Sequence, residues 1–570
     1  MIRCLTILLS TVVLLSLSKL GRSDVLVYQH PNSPLFFVLQ GKVAENKRDQ
    51  SVSITDPAVG SALHFPAESV QVYKVDTIQQ EFSKKSGQAG RDANQLFHVA
   101  LWALKHGMVR EFHATITRVL EAESKHPGAT RVAELKKKLE TPLPESTDAE
   151  AALKRIAGRG ASRIEKSSHF LLATDTSSKP DANRKKTRAR ERLDLMEKSY
   201  ECFLYWFHAH DLKLEPPKDR LLAVLLKETG DYSEAVKSVT GLPAGGHSGV
   251  FDRERNLCVF LDQAGDGATS ELKQSADKQR DAAAAAKKKR DPGVAVLVRS
   301  SEVLGALAEM AQDGADVEAV SREVARQMAV NCGLFSPGVE VPIWIDQGLA
   351  RFFEFPREAP WSGFGAASEL RLAAYRALDK ASPLMGIEAI LGDQLSGLNQ
   401  PFAAPTLTGG ETQGGAAGRG FGRGGAAGGF VGGADGAPGA AARPGFGRPG
   451  AAGAGFAAGG ESGAASGAAA GAEIAIGLGE AQAWALTHHL MDSHPKQLIE
   501  FYRAVGGMRP DVPINPEVIV ALFEKSLGKK PGDIDKEWRS AMRPAKSEVE
   551  RLTGRSPLAA ATSREPGGAP

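Results

Sequence analysis

The stretch D-V-E-A-V-S-R-E-V-A-R-Q-M-A-V-N (Asp316–Asn331), with I-W-I-D-Q-G-L-A-R-F-F-E-F (Ile343–Phe355) twelve positions on, decides the fold. Its first part has a helical period. With Val324 taken as the core direction, Val317, Val320 and Met328 fall near it, while Arg322 and Arg326 fall almost opposite. That phase predicts arginines facing a cleft or open solvent. Gly333 then marks the helix stop.

The spacing R-E-V-A-R (Arg322–Arg326) is that of H-E-x-x-H with both histidines exchanged for arginine. In the unaltered motif the histidines at i and i+4 share one helix face and bind zinc, and the glutamate is the general base. The second piece, W-I-D-Q-G-L-A-R-F-F-E (Trp344–Glu354), resembles the W-x-x-E-G-x-A-x-x-F-E stretch of gluzincin metallopeptidases, with Gln347 at the glutamate position. N-x-G-L (Asn331–Leu334), the surviving Gln327 and the order of segments along the chain extend the likeness. They resemble a family of bacterial secreted proteins that carry a gluzincin-like domain of unknown function. The resemblance implies an α+β, zincin-like domain preceded by a small β module and a tetratricopeptide-like helix pair.

The departures from that pattern bear on function. Arginine stays protonated and offers a metal no lone pair. At about 5 Å and an effective dielectric of about 20, each guanidinium would oppose a dication by about 6–7 kcal/mol. The amide of Gln347 is neutral, and Glu323 is left as a vestigial base without a metal to acidify its water. No metal and no cofactor are therefore expected. The reading that follows is a non-catalytic, exported pseudo-metallopeptidase that binds a protein or peptide partner, with Arg322, Arg326 and Gln347 lining an anion-binding cleft. The alternative is an active zinc metallopeptidase with unconventional ligands such as His488 or His489.

Outward from the motif, residues 1–23 form a signal peptide: Arg3, a short apolar run, then Lys19, Arg22 and Ser23. Residues 24–82 read as a small β module, with β-branched runs at Val25–Tyr28, Phe36–Val43, Ser51–Ile54 and Val70–Val75. Residues 91–140 turn helical, with Leu96, Ala100, Leu101 and Leu104 on one face and Val109, Phe112, Ile116 and Val119 continuing the pattern. Glu140–Glu150 is a linker. The zincin-like domain takes 151–402, with strands at His169–Thr174 and Arg220–Leu226 about a helix over 183–210. A hairpin follows, with D-R-E-R-N (Asp252–Asn256) at its tip.

Residues 268–291 lack an apolar stripe and read as a solvated insertion. Val294–Met310 and Asp316–Asn331 read as separate helices. Residues 403–473 are almost wholly Gly and Ala and cannot bury a core, so they read as a disordered insertion. Helices resume over 474–545, and 546–570 is a tail.

The insertion carries G-R-G-F-G-R-G-G (Gly418–Gly425), an RGG-like run. A net charge of +3 and an export signal argue against nucleic acid as the partner. Cys202, Cys258 and Cys332 are too scattered for a disulfide framework. No stable membrane span is expected once the signal is cleaved.

Overall fold

A computed structural model describes the chain from residue 23 to 558, leaving out 403–475 and shorter stretches, among them 30–35, 56–61, 158–162, 245–247, 263–266 and 395–400. The signal peptide up to residue 22 and the Gly/Ala-rich insertion thus lie outside the described residues, as do residues 559–570.

The β module is an antiparallel five-stranded sheet. Its strands are β1 (Ser23–Gln29), β2 (Phe36–Asn46), β3 (Ser51–Thr55), β4 (Ala62–Pro66) and β5 (Val70–Val75), in the order β4-β3-β2-β1-β5. The sequence reading missed only β4. Four helices follow where a pair is expected: α1 (Ile78–Ala89), α2 (Ala93–Lys105), α3 (Val109–Ala122) and α4 (Pro127–Leu139). Thr77 opens α1 with a capping box shared with Gln80. Polar composition hid α1, which buries little beyond Ala89.

The second sheet sits at the centre of the larger domain. It comprises β6 (Arg163–Lys166), β7 (Phe170–Thr174), β8 (Leu221–Leu226), β9 (Gly249–Asp252) and β10 (Leu257–Leu261), ordered β6-β7-β8-β10-β9. β7, β8 and β10 run parallel, with an antiparallel strand at each edge. Alternating side chains split to two faces. Leu171, Ala173, Val224 and Val259 pack on α5 (Thr147–Ala157) and α7 (Thr229–Thr240). Phe170, Leu172, Leu225 and Phe260 face the main core with the long helix α6 (Arg188–Ala209). The expected linker over 140–150 therefore already contains the first turn of α5.

After the sheet come α8 (Gly267–Lys288) and α9 (Val294–Asn331), then α10 (Ile343–Phe352), α11 (Glu369–Ala381) and α12 (Ile387–Leu391). The short ladder β11 (Pro401–Phe402) with β12 (Ile476–Gly477) brackets the insertion. Helices α13 (Leu478–Ser493), α14 (Pro495–Gly506), α15 (Pro516–Leu527), α16 (Pro531–Met542) and α17 (Glu548–Thr553) finish the chain. Among the described residues no helix is long and apolar enough to cross a membrane.

Three expectations need correction. The 268–291 insertion is the helix α8, whose Leu272 and Ala276 are buried against Leu304 and Leu307 of α9. Alanines every few residues give it a narrow stripe that a count of large apolar residues misses. The two helices expected over 294–331 are one helix of 38 residues. Gly314 does not break it; a Cβ there would sit 2.9 Å from the Arg357 Cβ, so the glycine marks a close approach. The tail over 546–570 begins with α17, capped by Ser547, whose Val549 is fully buried beside Val25 and Val27 of β1.

Candidate functional site: a buried arginine–carboxylate cluster on α9

The second half of α9 is enclosed nearly all round. Ser321, Arg322, Glu323, Val324, Ala325, Gln327 and Met328 are all buried. Its apolar side meets the main core through Val320, Val324 and Met328, as the phase predicts. The opposite side is not solvent. It is closed by β9 and by α10, with α11 and α13 behind them.

Local sequence explains how α10 comes so near. Pro342 starts the helix, and Trp344 anchors it, stacked on Phe501 at 5.8 Å between ring centroids. Gly348 lies against α13, where a Cβ would fall 1.9 Å from the Thr487 Oγ1. Only glycine permits that crossing, and Ala483 and Ala485 keep the facing helix thin. The G-L-A and A-Q-A-W-A-L segments are therefore two sides of one contact.

This geometry brings the four singled-out positions together. Arg322 donates from Nε to Glu323 at 2.6 Å and lies 3.8 Å from Glu354. Arg326 donates from Nη1 to Glu323 at 2.8 Å, from Nη2 to the Gln347 Oε1 at 2.9 Å, and its Nε lies 2.8 Å from Asp346. The Arg326 guanidinium thus lies between Glu323 and Gln347. The expectation that Arg322 and Arg326 face a cleft or solvent is corrected: both are enclosed and already held by carboxylates of the chain itself.

The cluster continues into residues that sequence reasoning did not select. Glu354 takes Arg351 and, at 2.5 Å, Arg371. Arg351 also reaches Glu480 at 2.5 Å. Glu318 holds Arg371 at 3.1 Å and Arg357 at 3.4 Å. Six guanidiniums (253, 322, 326, 351, 357, 371) therefore face five carboxylates (318, 323, 346, 354, 480), Arg253 joining through Asp346 at 3.7 Å. The i, i+3 pairs Arg351/Glu354 and Glu323/Arg326 are legible as helix spacings. Arg371 and Glu480 come from distant helices and leave no local signal.

Electrostatics follow from that enclosure. Burial alone would raise the Glu323 carboxyl, but Arg326 and Arg322 outweigh it and hold it at about 2. At Glu354 burial wins over Arg351 and Arg371, and its carboxyl is pushed up to about 7. Gln327 is a structural tie: its amide donates to the backbone carbonyls of Leu222 and Asn256, at 3.1 and 3.0 Å, pinning α9 to the sheet. Asn331 pairs with Asn256 in the same way.

The alternative ligands lie elsewhere. His488 stands 3.6 Å from Asp492, and His489 points toward α16. Nine residues separate Glu480 from His489 along α13, about 13 Å of helix. Neither histidine joins the motif cluster. Cys202, Cys258 and Cys332, the cysteines among the described residues, are buried and form no disulfide.

Residues 316–394 match the family described as Protein of unknown function (DUF1570). The matched segment runs from the second half of α9 through α12, and so contains the arginine–carboxylate cluster apart from Arg253 and Glu480. No curated protein and no solved structure matches the chain.

Proposed function

We propose that this chain is a non-catalytic, exported binding protein, in which a domain descended from a gluzincin-type peptidase of bacterial type has lost its metal and serves to engage a protein or peptide partner. One observation carries the reading. The positions that would hold a metal still converge, and the Arg326 guanidinium lies between Glu323 and Gln347. A protonated guanidinium supplies the positive charge of a metal without its Lewis acidity. Export rests on the charged-then-apolar N-terminus.

The paired state of the arginines narrows the binding surface. Every guanidinium of the cluster already lies within 4 Å of a carboxylate of the chain itself, so the arginines are engaged internally rather than held open for an external anion. The partner therefore docks on the outer surface of the domain, and the cluster acts as its internal brace.

The test restores the ligands together, as Arg322→His, Arg326→His and Gln347→Glu. These changes leave four guanidiniums facing six carboxylates, a deficit that a dication offsets. Elemental analysis after dialysis is expected to show one more equivalent of zinc in the triple variant than in the parent, and no peptidase activity in the parent. A parent whose peptide hydrolysis is abolished by a chelator would overturn the proposal. A well-folded triple variant with no gain in zinc would remove the peptidase ancestry from it.

A further inference from the structure

A second cluster, outside the motif, has the chemistry that the motif lacks. His489 lies one turn before the end of α13, His494 caps α14, and Glu537 projects from the middle of α16. One donor atom from each lies within 4.8 Å of the other two.

The three side chains are not equally occupied. His489 is buried. Its Nδ1 faces the Ser493 Oγ at 3.5 Å, while its Nε2 is enclosed and has no hydrogen-bond partner. A buried ring nitrogen without a partner is a liability unless something binds it. The His494 Nε2 stands 3.3 Å from the Glu537 Oε2. That is long for a charged hydrogen bond, and it equals the separation, about 3.3 Å, of two donors each about 2.0–2.1 Å from a tetrahedral ion. The other carboxylate oxygen of Glu537 takes the Lys529 ammonium at 2.7 Å.

We propose that His489, His494 and Glu537 form a binding site for a divalent transition-metal ion of the zinc class, using Nε2 of both histidines and one carboxylate oxygen. Ser493 and Lys529 are its outer partners; they orient the His489 ring and the Glu537 carboxylate. Two imidazoles and one carboxylate suit zinc, cobalt or nickel, whereas calcium and magnesium call for an all-oxygen set. The ion would join α13, the start of α14 and α16. Three protein ligands leave a fourth position for water. The site shares no residue with the arginine–carboxylate cluster.

The experiment uses the full chain, stripped with chelator and dialysed. Cobalt(II) is titrated while its visible ligand-field bands are followed, and zinc is titrated by calorimetry. The parent is expected to bind one equivalent with the intense bands of a tetrahedral site. His494→Ala and Glu537→Gln alter partly exposed positions, and circular dichroism checks that both variants fold. Each should weaken binding at least tenfold, while His488→Ala, next to the site but outside it, leaves affinity unchanged. Failure of the parent to bind either ion stoichiometrically would overturn the site. So would parent affinity in both ligand variants, or loss on His488→Ala alone. The motif test above is read as a gain over the parent, so an ion held here does not obscure it.

Discussion

The two halves of α9 are one helix built on opposite terms. The first half, Val294 to about Ala311, is amphipathic in the ordinary sense. Val303, Leu304, Leu307 and Ala308 are buried against the β module and α8, while Val296 stands exposed. The second half, from Asp316, has core on every side, and its polar residues pair internally. At its start Asp316 takes Arg188 and Arg192 of α6, and one turn on begins the cluster around Glu323. A polar helix face therefore means solvent in one half and a second protein surface in the other. Periodicity measures which residues are apolar. It does not measure what lies opposite them.

Removing one partner of the enclosed half should have the largest effect. Arg326→Met leaves Glu323 with Arg322 alone and strips Asp346 and Gln347 of a donor. Breaking a buried ion pair from one side costs about 3–5 kcal/mol. Denaturant unfolding checks this, and Arg326→Met combined with Glu323→Gln should recover part of the loss. A single-variant cost under about 1 kcal/mol would put Arg326 in solvent and erase the contrast between the halves.

What the sequence made legible follows the same line. The strands of both sheets carry β-branched runs bounded by turn residues, and β1, β2, β3, β5, β7, β8 and the β9–β10 hairpin were all readable. The motif positions were readable as a set because spacing in a helix is local. Their environment was not, because it is made by Arg371 on α11 and Glu480 on α13, the latter about 150 residues from the motif helix. The join between the halves of α9 was misread for a related reason. No large apolar residue falls between Met310 and Asp316 to carry the stripe across, and the approach of Arg357 to Gly314 is invisible to spacing. α8 was read as solvated because its buried face is mostly alanine.

In the amphipathic half the expected loss is smaller. Leu307 is fully buried in the cluster that joins α9 to β3, β4 and α8. Leu307→Ala should cost about 2–3 kcal/mol, the lower part of the range for such truncations, because a small satellite core can relax into the space. Hydrogen exchange should place the loss in the β module and α8, with the protection of Ser321–Met328 unchanged. Equal loosening of both halves would show that the helix transmits strain along its length, so that the two environments act as one.

The smallest effect is expected from the largest change in chain length. Residues 403–475 leave the domain at β11 and return at β12, where Pro401 pairs with Gly477 and Phe402 with Ile476. The ends are thus already held together, and α13 starts directly after them with Glu480 in the arginine–carboxylate cluster. Replacing the segment by a short Gly/Ser linker shortens the loop to be closed. Closure entropy changes by only about 0.6 kcal/mol per halving of length, so the variant should be unchanged or more stable by up to about 2 kcal/mol. The sign carries the information. A loss of more than about 1 kcal/mol, or reduced exchange protection in Ser321–Met328, would mean that the Gly/Ala segment packs on the enclosed half of α9 and belongs to its wall. An unchanged or raised stability leaves that wall to α10, α11 and α13, with Asp346, Glu354 and Glu480 joining Glu318 and Glu323 of α9 against its arginines.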